Sequence, residues 1–219
     1  MPAVTEQFRA STSVRVRHGD RADSLGAFHY DQSLDRYLAA VRSAAEELDH
    51  MGGRDSPIER VASEVESALS CLGYGFRVAR HGDQPAGKYR ISSWRSDGSF
   101  ALNPHEDFAQ TKTPEQEGFE VQRVESVFSV NAYVSAPEGA GDLLVWRPED
   151  TEPLIGLGHV RPLPDVPHTT CETRTGDVVI LNGKYPHAVK QPQVGTQQDR
   201  VVANFFFAPI DDRECIRWI

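Results

Sequence analysis

Several His-x-Asp tripeptides occur in the chain, among them His18-Gly-Asp20, His81-Gly-Asp83 and His105-Glu-Asp107. Such a pair can share a metal only where the backbone turns both side chains to one side, as a β-strand does for residues i and i+2. His18 stands in a stretch without periodicity, and His81-Gly-Asp83 runs into Gln-Pro-Ala-Gly, the composition of a plain turn. His105 and Asp107 instead close a strand-like run that starts at Ser99, so both are expected on one face with Glu106 turned away. A second histidine, His187, follows a Gly-Asp-apolar run and an Asn182-Gly183 pair, and Arg200 comes thirteen residues after it. In the run Arg-Val-Val-Ala-Asn-Phe-Phe-Phe, residues Arg200, Val202, Asn204 and Phe206 share a face by period two. A cation on an otherwise apolar strand face requires an anion.

The elements that must position these residues are legible in outline. Leu34, Tyr37, Leu38, Val41, Ala45 and Leu48 recur at helical spacing, and Gly52-Gly53 ends that stripe. Ser56, Pro57 and Glu59 read as N-cap, first helical residue and capping box of a second helix, with Ile58, Val61, Val65, Leu69 and Leu72 as its buried stripe and Gly73 as its C-cap. Residues 1–30 lack periodicity and are expected to be a partly ordered lead-in. From residue 75 onward, β-rich runs at 76–81, 88–95, 99–105, 122–135, 141–147, 168–174, 177–181, 185–190 and 200–208 alternate with Gly, Pro and Asp breaks. That rhythm predicts a β-sandwich or jelly roll. Asn182-Gly183 is expected to turn a type I′ hairpin. The fold class is therefore mainly β with flanking helices: residues 1–74 form an N-terminal helical layer on a core of residues 75–219, in one structural domain. Loops 108–121 and 149–167 are long enough to cover a mouth of the barrel.

Composition narrows the function. With 23 Lys+Arg against 32 Asp+Glu the net charge is −9, which repels phosphate backbones and anionic lipid, so neither nucleic acid nor a membrane is an expected partner. No apolar run is long enough to span a bilayer, and the N-terminus has no secretory-leader pattern, which points to a soluble, cytoplasmic protein. Cys71, Cys171 and Cys215 lack paired spacing and are expected to be buried, reduced and inert.

Two histidines and a carboxylate form the facial triad that leaves positions of an octahedral Fe(II) open. The order strand–His105-x-Asp107, then Gly-Asp-apolar run–turn–His187, then Arg200 resembles the Fe(II)/2-oxoglutarate-dependent oxygenases, over residues 88–208. Phe128-Ser-Val-Asn-Ala-Tyr-Val-Ser135 followed by Gly141-Asp-Leu-Leu-Val-Trp146 is similar to a segment of the prolyl-hydroxylase-like members. The resemblance implies a double-stranded β-helix, the jelly roll shared with cupins. It implies Fe(II) on His105, Asp107 and His187, with 2-oxoglutarate and O2 as cosubstrates. Arg200 would grip the distal carboxylate of 2-oxoglutarate by a bidentate pair. By family parity Ser129, Asn131 and Tyr133 point into the barrel, where Asn131 and Tyr133 either contact the cosubstrate or only pack. Halogenating members replace the carboxylate ligand with Gly or Ala, so Asp107 favours hydroxylation, or a desaturation or demethylation.

The implied reaction is hydroxylation of an unactivated C–H bond with release of succinate and CO2. No separate substrate domain is present, which favours a small molecule, with an amino-acid-like metabolite first. Arg90, Trp94 and Trp146 are candidate substrate contacts, the two tryptophans competing with a role as core or rim. Acidic loop residues Glu115, Glu117, Glu120, Glu149, Asp150, Glu152 and Asp165 would make an acidic mouth suited to a cationic amino acid. Two other readings stay open: a cupin-like metalloenzyme independent of 2-oxoglutarate, and a non-catalytic binding module. Oligomeric state is not legible.

Overall fold

A computed structural model describes residues 2–11, 16–17, 22–30, 32–51, 56–94, 100–139, 141–151, 155–156, 159–160, 166–190 and 200–219. Gly52-Gly53, His18-Gly-Asp20, Glu152 and Asp165 lie outside the described residues. The chain opens with α1 (Pro2–Ala10), β1 (Val16–Arg17) and β2 (Ala22–Leu25), followed by α2 (Leu34–His50) and α3 (Pro57–Cys71). Then come β3 (Gly75–Val78), β4 (Arg80–His81), β5 (Gln84–Pro85), β6 (Arg90–Trp94), β7 (Leu102–His105), β8 (Phe128–Ser135), β9 (Leu143–Trp146) and α4 (Pro148–Thr151). The remaining strands are β10 (Ile155–Gly156), β11 (His159–Val160), β12 (His168–Cys171), β13 (Val178–Asn182), β14 (His187–Val189), β15 (Arg200–Pro209) and β16 (Glu214–Trp218).

Two sheets face one another as a double-stranded β-helix. In the larger one β15 is central, paired with β6 and β16 on one side and β8 on the other, with β13 beyond β8. The smaller runs β10-β11-β7-β14-β9-β12. Strand β15 is buried from Arg200 to Ala208 because both its faces are used. Arg200, Val202, Asn204 and Phe206 face the space between the sheets, while Val201, Ala203, Phe205 and Phe207 pack outward with Ala44 and Leu48 of α2, Ile58, Ala62 and Val65 of α3 and Phe8 of α1. Each large apolar side chain buried there contributes roughly 1.5–3 kcal/mol, enough to fix the sheet's outer face and with it the register of its inner one.

The helix caps follow the sequence. Ser56 Oγ accepts from the Glu59 N–H at 3.2 Å, Pro57 starts α3, and Gly73 ends it at a φ of 86°. Leu72, however, is 74% exposed and does not belong to the stripe.

Four further expectations are corrected. The segment before residue 30 is not merely a lead-in: β2 pairs with β6 and buries Leu25, so it extends the larger sheet. Residues 120–123 form a 3-10 turn rather than the start of a strand. Asn182-Gly183 makes no hairpin, since β13 pairs with β8 in one sheet and β14 pairs with β7 and β9 in the other; Gly183 is also absent from the positive-φ glycines. Of the cysteines Cys215 is buried, but Cys71 is exposed and Cys171 intermediate. The C-terminal strand β16, unmarked in the sequence reading, pairs with β15 and buries Ile216, Trp218 and Ile219 within the protein's own core. No helix is long and apolar enough to cross a membrane among the described residues.

Candidate functional site

His105 ends β7 and His187 begins β14 directly opposite it in register, which brings their rings to 4.3 Å between centroids. Asp107 lies just past β7, where its N–H and that of Phe108 donate to the Gly183 carbonyl at 2.9 and 3.1 Å. Gly183 must be glycine for a reason of space. A Cβ there would stand 2.9 Å from Asp107 Cβ and 2.4 Å from Val127 Cγ1. The chain thus crosses from one sheet to the other against the carboxylate, and the crossing strand delivers His187 four residues later.

The protonation of the two rings follows from their partners. His105 Nδ1 meets the Asn103 carbonyl at 2.7 Å and His187 Nδ1 meets the Tyr185 carbonyl at 3.0 Å. A carbonyl only accepts, so each Nδ1 carries the proton and each Nε2 presents a lone pair. Those Nε2 atoms lie 3.6 Å from Asp107 Oδ1 and Oδ2 respectively, too far for a hydrogen bond. Asp107 is 5% exposed, and its Oδ2 has no hydrogen-bond donor among the described residues. Three acceptors within 4.8 Å of one another and no donor among them repel unless a cation sits between. Two imidazoles and one carboxylate suit a divalent iron with further positions open. Glu106, expected to turn away, is not among the residues lining the cavity; partial burial and then the Asp107 charge raise its carboxyl above the ordinary range.

Across the cavity, Arg200 is 3% exposed. Its Nη2 donates to the Tyr133 hydroxyl at 2.8 Å, its guanidinium carbon lies 4.7 Å from the centre of the Tyr133 ring, and its Nε has no partner among the described residues. No carboxylate pairs with it among the described residues. Burial pulls its pKa down, opposed by the Tyr133 hydroxyl and by Asp142; burial likewise raises the Tyr133 phenol, with Arg200 pulling it back. Because Tyr133 accepts from Arg200, its own proton is free to be donated. Ser129, Asn131 and Tyr133 all line the cavity, as parity on β8 requires, and Asn131 Nδ2 reaches Ser129 Oγ at 3.5 Å.

Strand β6 contributes Arg90, Ser92 and Trp94 to the same cavity. Trp146 does not join them. Leu143 faces the cavity, whereas Trp146 packs on the opposite face of β9 with Leu144 and Ala188 and is 2% exposed, so it is core rather than a substrate contact. Arg90 Nε donates to Asn204 Oδ1 at 3.0 Å, and its guanidinium carbon lies 4.0 Å from the centre of the Phe28 ring. The sequence reading placed Asn204 on the inner face without giving it a role and missed Phe28 altogether. It also passed over His29-Tyr-Asp31, a further His-x-Asp: His29 is fully buried outside the cavity lining, and Asp31 is not among the described residues.

Of the acidic loop residues, Glu152 and Asp165 lie outside the described residues. Glu120 is held by Arg77 at 2.7 and 2.8 Å, which draws its carboxyl below the usual range, and Glu115, Glu117, Glu149 and Asp150 are exposed. None of these five lines the cavity, where Asp107 is the one acidic residue among the described residues.

No family model matches the chain. It is 26% identical over 242 aligned residues to L-isoleucine 3(1)-dioxygenase of Pantoea ananatis, across 99% of this chain and 79% of that protein. Among solved structures it resembles an N-substituted L-amino acid dioxygenase of Burkholderia ambifaria, at a TM-score of 0.56 and 10% identity over 100% of this chain and 91% of that one. The α-ketoglutarate complex of that dioxygenase gives 0.51 and 9% identity over 100% and 90%.

Proposed function

We propose that this chain, which belongs to the Fe(II)/2-oxoglutarate-dependent oxygenase superfamily, hydroxylates a C–H bond of a small amino-acid substrate. The observation that carries the reading is a cavity with two complementary walls: three ligand atoms of His105, Asp107 and His187 within 4.8 Å of one another on one, and on the other a buried guanidinium with no carboxylate partner among the described residues.

His105, Asp107 and His187 hold Fe(II), with both imidazoles kept in the ligating tautomer by the Asn103 and Tyr185 carbonyls. When bound, Fe(II) couples the oxidation of 2-oxoglutarate by O2, to succinate and CO2, to insertion of the second oxygen atom into a substrate C–H bond. Arg200 holds the distal carboxylate of 2-oxoglutarate, and Tyr133 both orients that guanidinium and offers its hydroxyl proton to the same carboxylate. Asn131 supplies a further polar contact to the cosubstrate from β8. Ser92, Leu143, Val189 and Val202 narrow the cavity around the reacting centre and exclude water. Arg90 and Trp94 line the substrate side. The reaction begins from 2-oxoglutarate, O2 and an amino acid, and both triad histidines enter it already in the ligating tautomer.

Anaerobic visible absorption tests the reading. Adding 2-oxoglutarate to the Fe(II)-loaded protein is expected to produce a charge-transfer band that Asp107→Ala abolishes and Arg200→Ala weakens. Iron binding without a band, or turnover indifferent to 2-oxoglutarate and to Arg200→Ala, would place the protein with cupin-like metalloenzymes instead. A band without succinate from any compound would make it a binding module.

A further inference from the structure

We propose that Arg90 binds the free carboxylate of the amino-acid substrate, so that the protein acts on free amino acids and rejects residues whose carboxyl is blocked as an amide. This rests on the oxygenase reading above and adds to it the anchor that selects the substrate class.

Arg90 is 6% exposed and lines the cavity. Every group that holds it is neutral. Nε donates to Asn204 Oδ1 at 3.0 Å, Nη1 reaches the Tyr30 hydroxyl at 3.4 Å, and the guanidinium carbon lies 4.0 Å from the centre of the Phe28 ring. No carboxylate pairs with it, and Nη2 has no acceptor, among the described residues. Behind it His29 is kept uncharged, its pKa pushed down to about 3 by burial and then by Arg90 itself. These partners fix where the guanidinium points and leave its charge uncompensated, as expected of a preorganised anion receptor rather than a structural ion pair. The chain pays attention to this position elsewhere too: Gly26, at a φ of 114°, lets the segment carrying Phe28 and Tyr30 lie against β6, where a Cβ would come within 2.7 Å of Arg90 Cβ.

The anion Arg90 awaits is not the one Arg200 holds. In the β6–β15 register Arg200 faces Trp94 and Asn204 faces Arg90, so the two arginines stand four rungs apart, about 13 Å along the strands. Each is also tethered to its own end, Arg200 by Tyr133 and Arg90 by Asn204 and Phe28. A five-carbon diacid turned towards the triad reaches one of them. The second cation therefore calls for a second anion, and in an amino acid whose side chain is the site of oxidation the group at the other end is the α-carboxylate.

The test uses the enzyme loaded anaerobically with Fe(II) and 2-oxoglutarate and a panel of the common L-amino acids, each as the free acid and as the primary amide. At least one free acid is expected to perturb the charge-transfer band and, once O2 is admitted, to release succinate, and its amide to do both at least about 10-fold less effectively. In Arg90→Met the band formed with 2-oxoglutarate should persist while the half-saturating concentration of that acid rises about 10- to 100-fold. Asn204→Asp, which sets a carboxylate against Nε while retaining the arginine, should raise it as well. Equal response to acid and amide, no response to any free acid, or unchanged affinity in Arg90→Met would overturn the proposal while the oxygenase reading stands. Loss of the 2-oxoglutarate band in Arg90→Met would reassign Arg90 to the cosubstrate. A wild type without a band would end the oxygenase reading, and the proposal with it.

Discussion

The two walls of the cavity are built on opposite electrostatic errors. The small sheet gathers the ligand atoms of His105, Asp107 and His187 within 4.8 Å of one another, while the large sheet carries Arg200 and Arg90, two donors with no carboxylate partner among the described residues. Either arrangement alone would be costly, since a buried charge without a partner destabilises the fold. They do not neutralise each other: the acceptors face one another across 3.6 Å contacts, and the arginines are tied to Tyr133 and Asn204 on their own sheet. The lesson is that the deficits are held apart so that ligands, rather than the protein, complete them. On the proposed function, one wall takes a cation and the other anions, with the substrate C–H bond in the space between.

The comparison breaks most completely at Asp107. Asp107→Ala removes the one negative charge from the metal wall and should lower succinate formation at least about 1,000-fold, checked together with iron content by metal analysis. Retained activity in that variant would mean that the carboxylate is not a ligand. Arg200→Met removes the cation from the opposite wall, and the half-saturating concentration of 2-oxoglutarate should rise about 100-fold with iron binding intact, while Tyr133→Phe, which deletes a hydroxyl and keeps the arginine, should raise it about 10-fold. An equal loss of iron in all three would merge the walls into one site and remove the distinction.

The residues of both walls differ in how far they could be read from the sequence. His105, Asp107, His187 and Arg200 are legible by type, order and the family resemblance, period two on β15 puts Val202, Asn204 and Phe206 on the face of Arg200, and the resemblance sets the inward parity of Ser129, Asn131 and Tyr133 on β8, all of which line the cavity. Parity needs only local information. What it cannot supply is which sheet a strand joins. Asn182-Gly183 carries the local chemistry of a hairpin, yet the next strand leaves for the other sheet, and the glycine is needed for close approach to Asp107 instead. The Arg90 environment was hidden for a related reason: β1 and β2 are too short to show a period, and Phe28 and Tyr30 acquire their meaning only once β2 lies beside β6. Trp146 stays open between core and substrate contact because the sequence does not show which face of β9 meets the cavity; β9 turns Leu143 inward and Trp146 outward.

Gly183→Ala sharpens the contrast at smaller cost. The added methyl meets Val127 and Asp107, so the variant should lose about 1–3 kcal/mol of stability in denaturant unfolding. Iron affinity should fall more than 2-oxoglutarate affinity at saturating iron, because the crossing segment abuts the metal wall and not the arginines. A loss shared equally by both would show that the two sheets respond as one body to strain at the crossing.

The smallest effect belongs to the arginine wall. His29 is buried beside Arg90, and its pKa is lowered from about 6.5 to about 3, burial being the larger cause and the Arg90 charge the next. A depressed histidine binds its proton more readily unfolded than folded, so acid favours unfolding. Stability is full above about 6.5 and falls by about 1.4 kcal/mol for each pH unit below it, until His29 itself titrates near 3. His29→Leu should flatten this limb, seen as a smaller difference between unfolding free energies at pH 7 and pH 5. If the difference is unchanged, another group sets the acid limit, and the second positive charge that acid would place behind Arg90 is tolerated. If it shrinks, the arginine wall holds a single cation at this end because a second one cannot be buried there.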